Sequence, residues 1–248
     1  MDHSRPEIKL IALDMDGTLL NEHHEVSDEN REAIKEAEKK GVHVVLSTGR
    51  SLKTARDYVI SLQLSSYLVT VNGSEIWGPN GELVDRNLVS SEEIQWMYDL
   101  SVKHKAKFWA ISSEENWNNN MPEDILSLEW LKFGFHIEED EIRDKVLNEL
   151  KDKGIFEISN SSLKNIEVNA MGINKARGLE KVCSLLGITL DNVMAVGDSL
   201  NDIAMITEAG LGVAMGNAQE LVKEAADDIT GKNTESGVAQ AIRKWVLS

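Results

Sequence analysis

The sequence predicts an α/β protein: a doubly wound parallel sheet built from both ends of the chain, with an α+β module inserted between them. Three observations carry this prediction. Apolar runs alternate with amphipathic helical patterns as far as residue 71, in the order β-α-β-α-β. The same alternation returns from Lys175 to the C-terminus. Between these segments, strands and helices are separated by long polar loops and the regular alternation is lost. The simplest organisation is one Rossmann-like core over residues 1–86 and 173–248, with the inserted module over 87–172.

Residues 8–14 read as the first strand. Its run Leu10-Ile11-Ala12-Leu13 ends abruptly at a carboxylate, the pattern of a strand buried on both faces. Residues 28–40 form an amphipathic helix, with Ser27 placed to cap its start and Gly41 just past its end. The second strand, 42–46, runs out into Ser47-Thr48-Gly49-Arg50 and a helix over 52–62. The third, 67–71, is followed by the turn signals Asn72-Gly73 and Asn80-Gly81. In the insert, 90–106 is a helix with Ser90 and Glu93 at capping-box spacing. Residues 107–112 form a strand, the Asn-rich stretch 114–122 a loop or lid, and 138–153 a charged helix stopped by Gly154. Strands over 155–159 and 165–169 complete the insert. The returning core has a helix over 175–186 ended by Gly187 and a strand over 193–196 that stops at Gly197-Asp198-Ser199-Leu200-Asn201-Asp202. A helix over 203–209, a strand over 211–215 and helices over 218–226 and 236–246 follow.

With 248 residues, 42% of them hydrophobic, the chain can bury one large core or two modest ones. A formal net charge of −16 argues against nucleic-acid binding by the general surface, so an anionic substrate must be met by local cations or a metal. The single cysteine, Cys183, lies in an apolar helical pattern and reads as a core residue in a reducing compartment. No apolar stretch approaches a membrane span, and residues 1–6 lack a signal-peptide profile. A cytoplasmic protein without membrane or nucleic-acid partners is expected.

The chemistry starts at Asp14-Met15-Asp16-Gly17-Thr18. Strand residues two apart point the same way, so Asp14 and Asp16 leave the strand end as neighbours. Carboxylates that close repel each other, and a hard cation with oxygen ligands, Mg²⁺, would relieve the repulsion. Asp-x-Asp-Gly is also an ordinary acidic turn. A calcium loop does not fit, because Thr18 and the residues after it lack the ligand spacing. Two further strand ends lift the signal above a turn, since ligands of open parallel sheets bind where the strands end. The second strand delivers Thr48, Gly49 and Arg50; the late strand delivers Asp198, Asn201 and Asp202, with Asp198 as a third carboxylate for a metal. Thr48 and Gly49 at a helix start suit an anion or a helix cap. Lys175 by itself reads as a solvated surface lysine.

Together these segments resemble the motifs of the haloacid dehalogenase superfamily of phosphatases, over essentially the whole chain. Asp14-Met15-Asp16-Gly17-Thr18 is similar to the first motif and Thr48-Gly49-Arg50 to the second. Lys175 is similar to the third, and Gly197 to Asp202 to the fourth. Asn72-Gly73 resembles the turn after the third strand of the Cof-type branch, in which a type 2B α/β cap lies between the second and third motifs. The chain departs from the pattern at Ala176, where Gly often follows the motif-three lysine, and in the shortness of its cap. The resemblance implies that Asp14 attacks phosphorus to form an aspartyl-phosphate and that Asp16 is the general acid and base. Mg²⁺ would be held by the Asp14 and Asp198 carboxylates and the Asp16 backbone carbonyl. Thr48, with the backbone N–H groups of Met15 and Gly49, would hold the phosphoryl oxygens, completed by Lys175 and Asn201. Asp202 would orient Lys175 or a metal-bound water. Arg50 would face the substrate or pair with a core carboxylate.

A receiver-like signalling domain also phosphorylates an aspartate, but has no use for the second carboxylate and is about half this length. A phosphomutase with the same four motifs is the other alternative. The substrates implied are small phosphorylated metabolites: sugar phosphates, pyridoxal phosphate, flavin mononucleotide, or a phosphoribitylamino-pyrimidine of riboflavin synthesis. Any of Trp109, Trp117 and Trp130 in the insert could stack on a substrate ring or fill the module's core.

Overall fold

A computed structural model describes residues 7–248; the expectation concerning residues 1–6 lies outside them. The described residues form two sheets. The larger contains β1 (Leu10–Leu13), β2 (His43–Ser47), β3 (Leu68–Thr70), β4 (Glu75–Trp77) and β5 (Leu83–Arg86). The smaller is built from β6 (Lys107–Ser112), β7 (Asn116–Asn118), β8 (Trp130–His136), β9 (Phe156–Ser159) and β10 (Asn165–Ala170). The chain then returns to the large sheet with β11 (Val193–Gly197), β12 (Leu211–Ala214) and β13 (Asp228–Ile229). The large-sheet order is β13-β12-β11-β1-β2-β3-β4-β5, with every pairing parallel except the last two, β3 with β4 and β4 with β5.

β1 is the centre of this sheet, pairing Leu13 with Val196 on one side and Leu46 on the other. All four of its residues are buried, because helices cover both faces. Ile11 and Leu13 pack with α1 (Asp28–Lys39), α2 (Leu52–Leu62) and the C-terminal helix, while Leu10 and Ala12 face α5 (Lys175–Leu186), which carries Leu179, Val182 and Cys183. α1 starts where its sequence says it should: the Ser27 hydroxyl accepts from Asn30 N–H. Successive connections leave β1 toward β2 on one side and return to β11 on the other, so the strand order reverses at the C-terminal end of β1, the usual ligand site of such sheets.

The smaller sheet is wholly antiparallel, in the order β7-β6-β8-β10-β9. Phe108, Ala110, Phe133, Phe135, Ile166 and Val168 alternate along its three inner strands and pack against α3 (Ser91–His104) and α4 (Asp140–Lys153). α3 carries the expected cap, with Glu93 N–H donating to the Ser90 hydroxyl. Several elements differ from expectation. β8, the middle strand of this layer, was not anticipated: Gly134 interrupts its alternation, and interior glycine is a poor strand signal. β7 forms inside the stretch expected to be a loop. β4 and β5 form a hairpin around the Asn80-Gly81 turn, too short to register as strands, and extend the sheet edge. β13 is a two-residue edge strand. α6 (Ile203–Glu208), α7 (Glu220–Ala225) and α8 (Gly237–Ile242) are shorter than expected, and α8 passes into a π-type turn over Arg243–Leu247. Among the described residues no helix is long and apolar enough to cross a membrane.

Candidate active site

Asp14 lies one residue beyond β1, its N–H donating to Val196 O at 3.0 Å, so the backbone ladder fixes where the carboxylate emerges. The chain must then turn at once. Gly17 does this with φ +84°, a left-handed conformation that costs other residues energy, and a Cβ there would lie 2.5 Å from Asp198 Oδ2. The turn therefore brings the first strand end against the late one. Thr18 Oγ1 donates to Asp198 Oδ1 at 3.1 Å and ties the two together.

Lys175, the first residue of α5, is fully buried, so the reading of it as a surface lysine fails. Its Nζ donates to Asp14 Oδ1 at 2.5 Å and to Asp202 Oδ1 at 2.6 Å. Burial alone would lower the lysine's pKa, but the two carboxylates outweigh it and hold the ammonium charged. Asp202 uses its other oxygen to accept from the N–H groups of Asp198 and Ser199, both at 2.9 Å, and so also shapes the Asp198 turn. Carboxylate oxygens of Asp14, Asp198 and Asp202 lie within 4.8 Å of one another. Burial is the first cause of a raised pKa at both Asp14 and Asp198, and neighbouring carboxylates add to it. Asp14 is raised well above its ordinary value despite Lys175, and Asp198 is pushed up to about 7. Three hard oxygen donors against one ammonium is a surplus of negative charge, and that donor set fits a hard divalent cation.

Asp16 does not send its carboxylate into this cluster. Arg50 forks onto it, with Nε to Oδ2 at 2.7 Å and Nη2 to Oδ1 at 2.6 Å, so of the two readings of Arg50 the structure has the pairing one. The Asp16 carboxylate, acting first by hydrogen bond and then by charge, raises the guanidinium's pKa further. The Tyr58 ring stacks under Arg50 at 5.2 Å, and Tyr58 Oη donates to His24 O at 3.0 Å.

Thr48 is buried; its Oγ1 accepts from Arg50 N–H at 3.1 Å and its carbonyl from Asn72 N–H at 2.9 Å. The turn holding Asn72 is strained: Val71 and Asn72 have φ +51° and +57°, rare for a β-branched residue. It is held by Val71 N–H on Arg50 O and by Asn169 Nδ2 on Val71 O, both at 2.9 Å. The strain aims Asn72 between the layers. Asn72 Nδ2 donates to Glu167 Oε2 at 2.7 Å, and Asn72 Oδ1 accepts from Asn201 Nδ2 at 3.3 Å. Asn201 Oδ1 is buried with no hydrogen-bond partner among the described residues. From the small sheet, Lys132 Nζ reaches Glu167 Oε2 at 2.9 Å and Gly49 O at 2.8 Å.

A cavity of about 290 Å³ lies where the layers meet, lined by Asp14, Asp16, Gly49 and Arg50 from the large layer and by Trp109, Lys132 and Glu167 from the small one. Met15 is wholly buried, in the core of the large layer. Sequence reasoning named Trp109 only as one of three candidates and missed Asn72, Lys132 and Glu167 as site residues. The missed signal was the period-two pattern Lys132-Phe133-Gly134-Phe135 and Ile166-Glu167-Val168-Asn169, polar on the side away from the phenylalanine core. Trp130 is core, and Trp117 packs against that core.

A family model described as haloacid dehalogenase-like hydrolase matches residues 11–129 and 118–242. A curated relative, the 5-amino-6-(5-phospho-D-ribitylamino)uracil phosphatase YcsE of Bacillus subtilis, is 62% identical over 241 residues, covering 97% of each chain. Among solved structures, a haloacid dehalogenase-like hydrolase from B. subtilis superposes with a TM-score of 0.88 at 25% identity, over 95% of this chain and 99% of that one. A subclass IIB sugar phosphatase of the superfamily gives 0.83 at 26% identity, over 97% and 100%.

Proposed function

The chain belongs to the haloacid dehalogenase-like hydrolases, as a phosphatase of their Cof-type, subclass IIB branch, and on that basis we propose its substrate and mechanism. The substrate is 5-amino-6-(5-phospho-D-ribitylamino)uracil, which supplies a phosphate monoester at one end and a planar pyrimidine at the other. The observation that carries this reading is the 62% identity, across nearly all of both chains, to a phosphatase named for that compound. A cavity of about 290 Å³ lined by both layers suits a small metabolite rather than a macromolecule.

In the proposed reaction, residues 87–172 act as the cap over a core of 1–86 and 173–248. A carboxylate oxygen of Asp14 attacks phosphorus while the ester P–O bond breaks, and Asp16 gives its proton to the leaving alcohol oxygen. Asp16 then takes a proton from water as that water attacks the aspartyl-phosphate, freeing Asp14 and inorganic phosphate. Arg50, which forks onto both oxygens of Asp16, would hold the ionised carboxylate left after that proton is delivered. Lys175, held by Asp202, neutralises Asp14 and a phosphoryl oxygen. Thr48 and Asn201, with the backbone N–H groups of Met15 and Gly49, complete the cradle. Mg²⁺, held by Asp14, Asp198 and the Asp16 carbonyl, would supply charge screening between Asp14 and the phosphate. The single buried thiol, Cys183, accords with a cytoplasmic location.

The test is inorganic phosphate release from this compound and from sugar phosphates, pyridoxal phosphate and flavin mononucleotide, with Mg²⁺ or EDTA, alongside Asp14→Asn. The expected result is multiple turnover that requires both Mg²⁺ and Asp14, with the ribitylaminouracil ester ranked first. Near-wild-type turnover by Asp14→Asn would refute the mechanism, and a higher kcat/KM on another ester would refute the substrate.

A further inference from the structure

The small sheet has two unlike faces. One carries the phenylalanine core; the other presents Trp109, Lys132, Gly134, Glu167 and Asn169 toward the catalytic edge. Trp109 on β6, Gly134 on β8 and Glu167 on β10 are direct cross-strand neighbours, a single row across the face. At the middle of the row there is no side chain. A Cβ on Gly134 would fall 2.2 Å from both Cε2 and Cζ2 of the Trp109 indole. The ring therefore lies over the strand on the space a larger residue would fill. It is half-buried, packs against Val71, Ile111 and Leu131, and lines the same cavity as Asp14.

We propose that Trp109 is a stacking platform for the planar ring of the leaving group, and that Gly134 makes it one by letting the indole lie down against the sheet. The platform selects phosphate esters whose alcohol carries a pyrimidine-type heteroaromatic ring. Aromatic side chains stack on such rings through their faces, independently of the hydrogen-bonding pattern at the ring edge. The polar edge of the ring meets the neighbours in the row. Lys132 uses two of its three N–H bonds within the described protein, on Gly49 O and Glu167, and the third serves a ring carbonyl. The Glu167 carboxylate, accepting from Ser161, Asn72 and Lys132, has lone-pair capacity left for a ring N–H. This inference rests on the ribitylaminouracil reading above.

The experiment compares two esters that share one phosphorylated chain, 5-amino-6-(5-phospho-D-ribitylamino)uracil and D-ribitol 5-phosphate, across wild type, Trp109→Phe, Trp109→Leu and Gly134→Ala. In Trp109→Leu the ratio of kcat/KM for the ringed over the ringless ester falls about 5- to 150-fold, mostly through KM. Trp109→Phe keeps most of the ratio. Gly134→Ala loses it although the tryptophan is intact, because the indole is lifted off the strand. Equal fractional losses on both esters would mean a structural role and overturn the platform alone. A wild-type enzyme that does not prefer the ringed ester would overturn the substrate reading and the platform with it.

Discussion

Replacing Lys132 by Met tests how the two layers are held together. The change keeps the length and apolar stem of a buried side chain while removing its charge and its donors to Glu167 and Gly49 O. Removing one partner of a buried ion pair costs about 3–5 kcal/mol, because the other charge is left without compensation. The lost bond to Gly49 O adds about 1 kcal/mol. For a chain of this size each kcal/mol moves the melting temperature by about 2–4 °C, so a fall of about 8–24 °C is expected at pH 7. The deficit is pH-dependent. Burial pushes the Glu167 carboxyl up, but Lys132 and the hydrogen bonds from Ser161, Lys132 and Asn72 outweigh it and hold it below its ordinary value. In wild type the pair therefore stabilises fully above the unfolded carboxyl pKa of about 4.3, and this is lost as pH falls through the lower native value. Without Lys132 the native value moves above the unfolded one, so the variant's deficit shrinks as pH drops from 7 toward 4. Adding Glu167→Gln removes the orphaned charge and recovers more than half of the loss. Calorimetry on the wild type, both singles and the double variant measures all of this. A loss under about 1 kcal/mol, or a double variant no more stable than Lys132→Met, would refute the reasoning.

Gly17→Ala strains a left-handed position by about 1–2 kcal/mol and drives a methyl group into Asp198, so the Mg²⁺ concentration giving half-maximal phosphate release should rise at least about tenfold. Arg50→Lys keeps the charge but loses the fork on Asp16. With Asp16 half-exposed the stability cost stays under about 1 kcal/mol, while kcat falls by about 10- to 100-fold, a split read by parallel melting and turnover measurements. Burial first, and then Glu180, push the Cys183 thiol up to about 11. Iodoacetamide at pH 8 should therefore label the native chain at least about a hundredfold more slowly than the urea-unfolded chain, as followed by mass spectrometry.

The acidic strand edge was legible in the sequence because its signals are local. The run Leu10 to Leu13 stops at Asp14, Ser27 and Ser90 cap the helices that follow them, and Gly17 supplies the turn. Those features depend on neighbours a few residues away, and the backbone's periodicities translate them directly into strand ends, caps and turns. Motif resemblance then grouped the strand ends. β8 escaped because its central glycine weakens a local pattern for a reason that lies on another strand, the Trp109 ring on β6.

Charge state and pairing were decided by tertiary structure alone. Lys175 is ordinary in its own helix; strand order places its ammonium between Asp14, 161 residues away, and Asp202. Arg50 gave no sign in the sequence of whether it would meet a substrate or Asp16, and Glu167 none that it would be buried beside Lys132 and Asn72. Such partners are set by which strand lies beside which, and by the closure of one layer on the other. The free energy of a buried charge depends on those neighbours far more than on the residues adjacent in the chain.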